Sequence, residues 1–295
     1  MNMGPGGMAP IRINLHTLVR YWLVSPFTCA VLAALLLGAF WYFQATRDDA
    51  ERGNHWPPTR TLAFFSGLLA VELAFQSSLA MLPYISFPVQ VIQKLLLVLV
   101  APPLLVFGAP LALAVETSSP RTTDRLLRVV QSAPLRALTH PVVIFLLYGG
   151  GLLAYYLSSA VGSSMRHVWL LNVLNLAFLL VAILFWWVAL GGEPAPRPQA
   201  STGVALSLVG GSLVVLLGLG IAMLTRTTTV APIYTLRDTR SGGTVFVVCA
   251  CLAVVICLGA AWRWYQAGEL PDEDLEPVAA GVDDSPASLH TSPPQ

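Results

Sequence analysis

Polar side chains that could do chemistry interrupt a long hydrophobic stretch at residues 90–110. The stretch opens with Gln90, Gln93 and Lys94. Gln90 and Lys94 are four residues apart, so a helix places them on one face and one turn apart. A lysine inside an apolar span is energetically costly, and by default it marks a functional position or one half of a charge pair. We therefore place the candidate site in this stretch.

Two consecutive prolines, Pro102 and Pro103, lie near the far end of the same stretch. Proline lacks an amide hydrogen and its ring clashes with the preceding turn, so the pair is expected to kink or end the helix. The backbone carbonyls that lose their donors then need partners from neighbouring helices, because lipid offers none.

A layer of polar residues at one depth of the membrane is the second pattern. Counted at about 1.5 Å per residue from the predicted span ends, Glu72, Lys94 and Asn175 each lie roughly 10 Å below the outer surface. Asn172 precedes Asn175 by three residues on the same helix face. The layer indicates either a small polar site that opens toward the outer side, or polar contacts that fix helix packing.

Glu72 and Lys94 are also predicted to form a buried ion pair. The two residues are equally far from the short turn that joins their helices, and adjacent antiparallel helices joined in this way should touch. An unpaired charge at this depth costs roughly 2–3 kcal/mol on insertion scales, and pairing reduces that cost.

Methionine and histidine residues raise the question of a metal site. Soft thioethers suit Cu(I), and imidazole binds copper generally. Met165, His167 and Met223 fall in segments that are predicted to lie on the outer side. Two interpretations stay open, namely a weak Cu(I) site at these residues and a chance distribution of few side chains.

Composition limits the class of protein. Of 295 residues, 56% are hydrophobic and only 11% are charged, whereas about a quarter is charged in soluble domains. The chain is therefore predicted to be an integral membrane protein. Its net charge of +1 argues against nucleic-acid binding. The four cysteines all fall within apolar spans, which predicts small buried side chains and no disulfide framework.

Seven apolar spans are the elements that position these residues. They predict an all-α, polytopic membrane bundle whose transmembrane domain covers residues 24–264. The predicted spans are residues 27–43, 61–79, 87–108, 141–157, 168–190, 203–224 and 244–264. A short amphipathic helix at about 120–133 is expected to lie on the membrane surface between spans three and four.

The segments outside the spans set the predicted topology. Residues 1–23 are predicted to be a loose outer segment, and residues 265–295 a disordered, acidic cytoplasmic tail. Basic residues near the span ends number nine on the side of loops one, three and five and the C-terminus, and six on the other side. This bias places the N-terminus outside and the C-terminus in the cytoplasm of a multi-pass protein of the cell membrane.

Several short blocks of the sequence are specific enough to compare with known families. The most specific are Ala101-Pro102-Pro103-Leu104-Leu105 and Gly108-Ala109-Pro110. Supporting blocks are Trp56-Pro57-Pro58-Thr59-Arg60-Thr61-Leu62-Ala63-Phe64, His140-Pro141, Phe178-Leu179, Phe185-Trp186-Trp187, Asp238 and Gly242-Gly243. On these residues the chain resembles the CtaG family, multi-pass proteins that help to assemble copper-containing cytochrome c oxidase. The resemblance covers almost all of the seven-span region.

The chain departs from that family where the metal chemistry would be. The family typically has a His-x-x-Gln-His arrangement in span three and further histidines in span five. The corresponding positions here hold Gln90, Gln93, Lys94, Leu171 and Asn175, and only the middle glutamine matches. Because a protonated lysine has no lone pair for a metal, a histidine site does not carry over. The family-motif positions of this chain are Gln90, Gln93, Lys94, Pro102, Pro103, Asn175 and Asp238.

The resemblance implies a membrane-embedded assembly factor for cytochrome c oxidase. It would act as a scaffold or as the partner of an oxidase subunit or another assembly factor, with no catalytic residue and no assigned cofactor. The alternative is a small solute or ion transporter that uses Glu72 and Lys94, although no repeated halves are apparent. An intramembrane enzyme is disfavoured, because the spans contain no Ser/His pair, no paired aspartates and no zinc motif.

Overall fold

Segments that cross lipid must satisfy their own backbone hydrogen bonds, and helices do so within one segment. The computed structural model of the protein describes residues 22–196 and 201–268, with side chains as far as residue 258. Within these residues the ordered elements are helices and there is no strand, so the all-α prediction is confirmed. The chain divides into two units, Met1–Ala253 and Val254–Gln295, and the sites discussed below all lie in the first.

Seven spans follow one another when each bent pair of helices is taken as one span. Among the described residues, five helices are long and apolar enough to cross a membrane alone, and two bent pairs of helices pass the same test together. In chain order the spans are Pro26–Glu51, Pro58–Gln76 with Ser78–Tyr84, Phe87–Thr117, Pro141–Leu157 with Ala160–Arg166, Val168–Ala189, Thr202–Thr225 and Leu236–Gly268.

Several span ends lie beyond the predicted positions. Span one continues to Glu51, because hydropathy marks only the apolar part of a helix whose hydrogen bonds continue into polar turns. Span three is extended to Thr117 by a further helix, Pro110–Thr117, which follows Ala109 in a left-handed conformation. Span seven begins at Leu236 and its helix continues to Gly268, into the first residues of the predicted tail. Most of the predicted outer segment and most of the predicted tail lie outside the described residues.

Spans two and four are bent at serines. Span two bends by 46° and span four by 77°. Ser77 and Ser158 interrupt the two helices with extended backbone dihedrals. The hydroxyl of Ser77 accepts from the amide of Leu79 at 3.2 Å and so caps the helix that follows. The hydroxyl of Ser158 accepts from the amide of Ala160, two residues later, at 3.1 Å. A serine inside an apolar run is a weak signal, and neither bend was expected.

Span three passes through its proline pair without ending. The helix Phe87–Leu95 continues as a π-helical turn over Leu96–Val100 and then as the α-helix Ala101–Phe107. Pro102 and Pro103 occupy the first turn of that last segment, where a missing amide hydrogen costs least. The wider π-helical turn provides the local adjustment that the prolines require. Of the two outcomes expected at the prolines, a kink or a helix end, the helix does not end here.

The carbonyl of Val98 shows how neighbouring spans compensate for the prolines. It lies four residues before Pro102, which cannot donate to it. Instead it accepts from the indole N–H of Trp186 at 2.9 Å and from the hydroxyl of Tyr148 at 3.2 Å. The predicted need for donors from other spans is confirmed. These two bonds also hold spans four and five against span three.

Tyr42 of span one joins two of the blocks that carry the family resemblance. Its hydroxyl donates to the carbonyl of Gly108 and accepts from the indole N–H of Trp56, each at 2.8 Å. The Tyr42 ring stacks on Phe64 with 4.0 Å between centroids. A Cβ atom at Gly108 would lie 2.6 Å from the Phe64 Cβ, so this close approach requires glycine.

The connection between spans three and four contains two short helices. Pro120–Val130, which we call the surface helix, begins with proline after Ser119. Ala133–Leu138 follows it. The sequence predicts one helix at about 120–133, and the structure ends it at Val130, because Gln131 is in a turn and Ser132 has an extended backbone.

Candidate functional site

The candidate site is a group of buried and half-buried side chains around Lys94. We call it the Lys94 cluster, and its members are Gln90, Lys94, Tyr155, Tyr156, Ser164, Asn175 and Phe178. Lys94 is only 1% exposed. Its Nζ donates to Asn175 Oδ1 at 2.6 Å. The same nitrogen lies 4.7 Å from the ring centroid of Tyr155 and 4.4 Å from that of Phe178.

Three spans position the Lys94 cluster. Lys94 lies in the last turn before the π-helical turn of span three. Asn175 and Phe178 are three residues apart, so they share one face of span five. Tyr155 and Ser164 lie on the two halves of span four, nine residues apart, yet their oxygens are 2.9 Å apart. The 77° bend between the halves makes this contact possible.

Gln90 connects the two tyrosines of span four. Its amide nitrogen donates to the hydroxyl of Tyr155 at 3.0 Å, and its amide oxygen accepts from the hydroxyl of Tyr156 at 3.2 Å. All three side chains are buried. Because both ends of the amide are used, the glutamine fixes the register of span three against span four.

No carboxylate neutralises Lys94 in the part of the chain that the structure describes. The ammonium group is instead held by one amide oxygen and by the faces of two aromatic rings, which attract cations through their quadrupoles. A buried cation needs such partners, because it has lost its hydration. The arrangement is chemically a cage for one cation, and the lysine side chain itself supplies that cation.

The predicted ion pair between Glu72 and Lys94 was wrong. Gln93, and not Lys94, is the residue of this turn that contacts span two, where it donates to the carbonyl of Ala74 at 2.8 Å. Consecutive residues point about 100° apart around a helix, so Lys94 turns toward spans four and five. Equal distances from a connecting turn set the depth of two residues but not the direction in which their side chains point.

Glu72 is instead bonded within the first two spans. Its Oε2 accepts from Gln76 Nε2 at 3.2 Å, and the same nitrogen donates to the carbonyl of Thr28 in span one at 2.9 Å. Glu72 is 9% exposed, and its other carboxylate oxygen, Oε1, has no hydrogen-bond partner among the described residues. Of the predicted polar layer, therefore, only Lys94 and Asn175 come together.

The remaining predicted site residues lie outside the Lys94 cluster. Asn172 is half-buried, one turn before Asn175. Asp238 caps span seven, where its Oδ2 accepts from the amide and the hydroxyl of Thr235 at 3.2 and 2.8 Å. Met165 and Met223 are buried at 8% and 0% exposure, whereas His167 is exposed.

Three members of the Lys94 cluster, Tyr155, Tyr156 and Ser164, belong to no motif in the sequence. One signal for them was available. Two adjacent tyrosines within an apolar span bring hydroxyl groups into the membrane, and a buried tyrosine hydroxyl usually finds a partner. The bend that brings Ser164 close to Tyr155 has no comparable sequence signal. The residue at the break, Ser158, is a serine like many others in apolar helices.

The family resemblance implies copper chemistry, and the Lys94 cluster does not fit a copper ion. Its polar atoms are an ammonium nitrogen, amide groups and hydroxyls, whereas copper prefers imidazole, thiolate and thioether ligands. The ammonium has no lone pair, and its charge would repel a metal cation. Within residues 22–196 and 201–268, no group of three His, Cys, Asp or Glu side chains could hold a metal ion.

Comparisons with known proteins identify relatives of uncharacterized function. ML1998 of Mycobacterium leprae (strain TN) is 29% identical over 189 residues, which are 61% of this chain and 28% of that protein. Mb0105 of Mycobacterium bovis and MT0111 of Mycobacterium tuberculosis are each 27% identical over 188 residues, with the same two shares. The chain thus spans 28% of the length of these curated relatives. No solved structure matches it.

One family model covers most of the chain. The model that describes the cytochrome c oxidase caa3 assembly factor matches residues 40–267, from the end of span one through span seven. The matched region includes the Lys94 cluster, the proline pair and the junction at Tyr42. The resemblance that these blocks carry is confirmed, and the chain belongs to the Caa3_CtaG family of cytochrome c oxidase caa3 assembly factors.

Proposed function

We propose that this protein assists the assembly of copper-containing cytochrome c oxidase as a membrane-embedded scaffold or as the partner of an oxidase subunit. The observation that carries the proposal is the contact of Lys94 Nζ with Asn175 Oδ1 at 2.6 Å inside a family domain. Positions that would have to hold metal ligands are occupied by an amine and an amide that satisfy each other.

The hydrogen bonds of the motif positions support a structural role for the site. Gln90 bonds to span four, Gln93 to span two and Lys94 to span five. One turn of span three, from Gln90 to Lys94, is thus tied to three neighbours by polar side chains. Such bonds fix the packing of helices in lipid, where apolar packing alone gives little directional preference. The protein would then present a rigid surface to its client and transfer no metal through this site.

The membrane location and orientation belong to the same proposal. The excess of arginines in loops one, three and five favours a cytoplasmic position for these loops and the C-terminus. The partner would be an oxidase subunit or another assembly factor that is inserted in the same membrane. No enzymatic step is part of the proposed role.

The test is oxidase assembly in cells that lack the protein. Membranes of the deletion strain should contain less assembled oxidase, measured by the haem absorbance spectrum and by immunoblots of the subunits, and the wild-type gene should restore it. Copper content per assembled oxidase should stay unchanged in the residual enzyme. Normal oxidase in the deletion strain would contradict the proposal.

The transporter alternative stays a prediction, although the Glu72–Lys94 pair on which it depended does not form. Glu72 Oε1, buried and without a hydrogen-bond partner among the described residues, is the one observation that still favours it. An unpartnered intramembrane carboxylate is a candidate for binding a proton or a cation. Altered solute uptake in the deletion strain, together with normal oxidase, would support this alternative.

A further inference from the structure

The surface helix, Pro120–Val130, carries a stripe of arginines. Arg121, Arg125 and Arg128 are separated by four and three residues, so they lie on one face of the helix. All three side chains are exposed. None of them forms an ion pair with a carboxylate in the described part of the chain, and Arg128 Nε donates only to the backbone carbonyl of Asp124, at 3.3 Å. Three arginines and one aspartate leave this helix positively charged.

The opposite face of the surface helix is fixed against the protein. Val130 is 4% exposed, and Leu126 and Leu127 are half-buried. The hydroxyl of Thr123 donates to the carbonyl of Val115 at the end of span three, at 3.4 Å. Because these residues lie about 180° from the arginine stripe, the helix cannot turn its arginines inward without losing this packing.

Short connections hold the surface helix close to the membrane surface. Two residues, Ser118 and Ser119, separate it from the end of span three. The helix that follows it, Ala133–Leu138, is two residues from the start of span four. Both ends of the segment are therefore tied to membrane spans. This placement leads us to expect lipid headgroups within reach of the arginine stripe.

We propose that Arg121, Arg125 and Arg128 form a binding site for the phosphate groups of anionic membrane lipids. Guanidinium groups match phosphate oxygens in geometry and donate two hydrogen bonds at once. Clusters of basic residues next to a membrane span attract anionic lipids through this charge. Each arginine near an anionic surface contributes about fivefold to affinity, so the three together contribute up to about a hundredfold.

The experiment measures lipid binding to the purified full chain in detergent. Native mass spectrometry follows titrations with dioleoylphosphatidylglycerol and, separately, with dioleoylphosphatidylcholine. The test variant combines R121Q, R125Q and R128Q. The control variant combines R166Q, R237Q and R240Q, which removes the same charge from exposed arginines at the span ends on the other side. Thermal unfolding of each variant checks that it is folded.

The test variant should bind phosphatidylglycerol at least tenfold more weakly than wild type and phosphatidylcholine equally well, while the control stays within about twofold of wild type. Wild-type affinity in the test variant, or equal losses in both variants, would overturn the proposal. A test variant that binds lipid normally but no longer copurifies with oxidase subunits would also overturn it, in favour of an acidic protein partner.

Independently of any variant, raising NaCl from about 0.1 M to about 0.5 M should release phosphatidylglycerol from the wild-type chain, and retention would overturn the proposal as well.

Discussion

At the scale of single residues, Lys94 is held by an amide oxygen and two aromatic rings, and not by a counter-ion. Depth along the span was predictable, because a helix rises by a constant distance per residue. That constancy is why Lys94 and Asn175 could be placed at one level. The direction of each side chain was not predictable, because the rotation of a helix about its axis depends on packing and hydrogen bonds with the neighbouring helices.

Lys94 and Asn175 should be energetically coupled, whereas Lys94 and Glu72 should not. Asn175→Leu leaves the ammonium without its oxygen partner, and Lys94→Met leaves the amide unpaired, so each should lower stability by about 1–3 kcal/mol. The double variant should lose less than the sum, with a coupling of about 0.5–3 kcal/mol. Glu72→Ala combined with Lys94→Met should be additive within about 0.5 kcal/mol. Thermal unfolding in one detergent measures the stability of all the variants. An energetic coupling between Glu72 and Lys94 would support the original prediction that they form an ion pair.

Glu72→Gln should preserve or raise thermal stability. Glutamine keeps an oxygen that can accept from Gln76, and it removes a charge whose other oxygen has no hydrogen-bond partner among the described residues. Gln76→Leu is the contrasting variant, because it removes the bond to the Thr28 carbonyl as well and should cost about 1–3 kcal/mol. A marked loss of stability in Glu72→Gln would show that the carboxylate charge itself is required.

Metal binding is expected to be weak. The purified protein should bind no stoichiometric Cu(II) or Zn(II), because the family's histidine positions hold Gln90, Lys94, Leu171 and Asn175. Elemental analysis after dialysis measures this directly. The weak Cu(I) site at Met165, His167 and Met223 stays a prediction. Copper that survives dialysis and disappears in a Met165→Leu/His167→Ala variant would show a relocated site.

At the scale of elements, the apolar part of every span could be read from the sequence, whereas the bends and the π-helical turn of span three could not. An apolar run long enough to cross the bilayer has few alternatives to a helix in lipid. The break at Ser158, by contrast, depends on contacts that form only in the bundle, such as Tyr155 with Ser164. The Lys94 cluster depends on that break, so the sequence could not predict all of the residues that belong to the cluster.

A close contact between spans six and seven leads to the next prediction. A Cβ atom at Gly243 would lie 2.8 Å from the carbonyl oxygen of Gly220 and 2.9 Å from the Cβ of Met223. The carbonyl oxygen of Gly220 belongs to the backbone and cannot move aside as a side chain could. Gly243→Ala should therefore destabilise the protein by about 1–3 kcal/mol. Gly218→Ala is the matched control in span six, since its added Cβ would meet nothing within 4 Å. It should be neutral or stabilising by up to about 1 kcal/mol, and thermal unfolding compares the two.

At the scale of the whole molecule, the orientation in the membrane decides which surface faces the cytoplasm. Family membership does not fix this orientation, and the excess of basic residues on one side, nine against six, is the observation that favours it. The surface helix contributes three of those nine, and anionic lipid headgroups would further stabilise it on the cytoplasmic side. Its lipid-binding role and the orientation therefore support each other but can be tested separately.

Single-cysteine labelling tests the orientation. In a variant without the four native cysteines, Gln131→Cys lies next to the surface helix and Thr228→Cys lies between spans six and seven, and both positions are exposed. A membrane-impermeant maleimide added to intact cells should label position 228 and leave position 131 unlabelled until the membrane is permeabilised. Because the two positions lie on opposite sides of a seven-span chain, each serves as the control for the other. The reverse pattern would place the arginine stripe outside the cell. The surface on that side of the protein would then be available only to the outer part of an oxidase subunit.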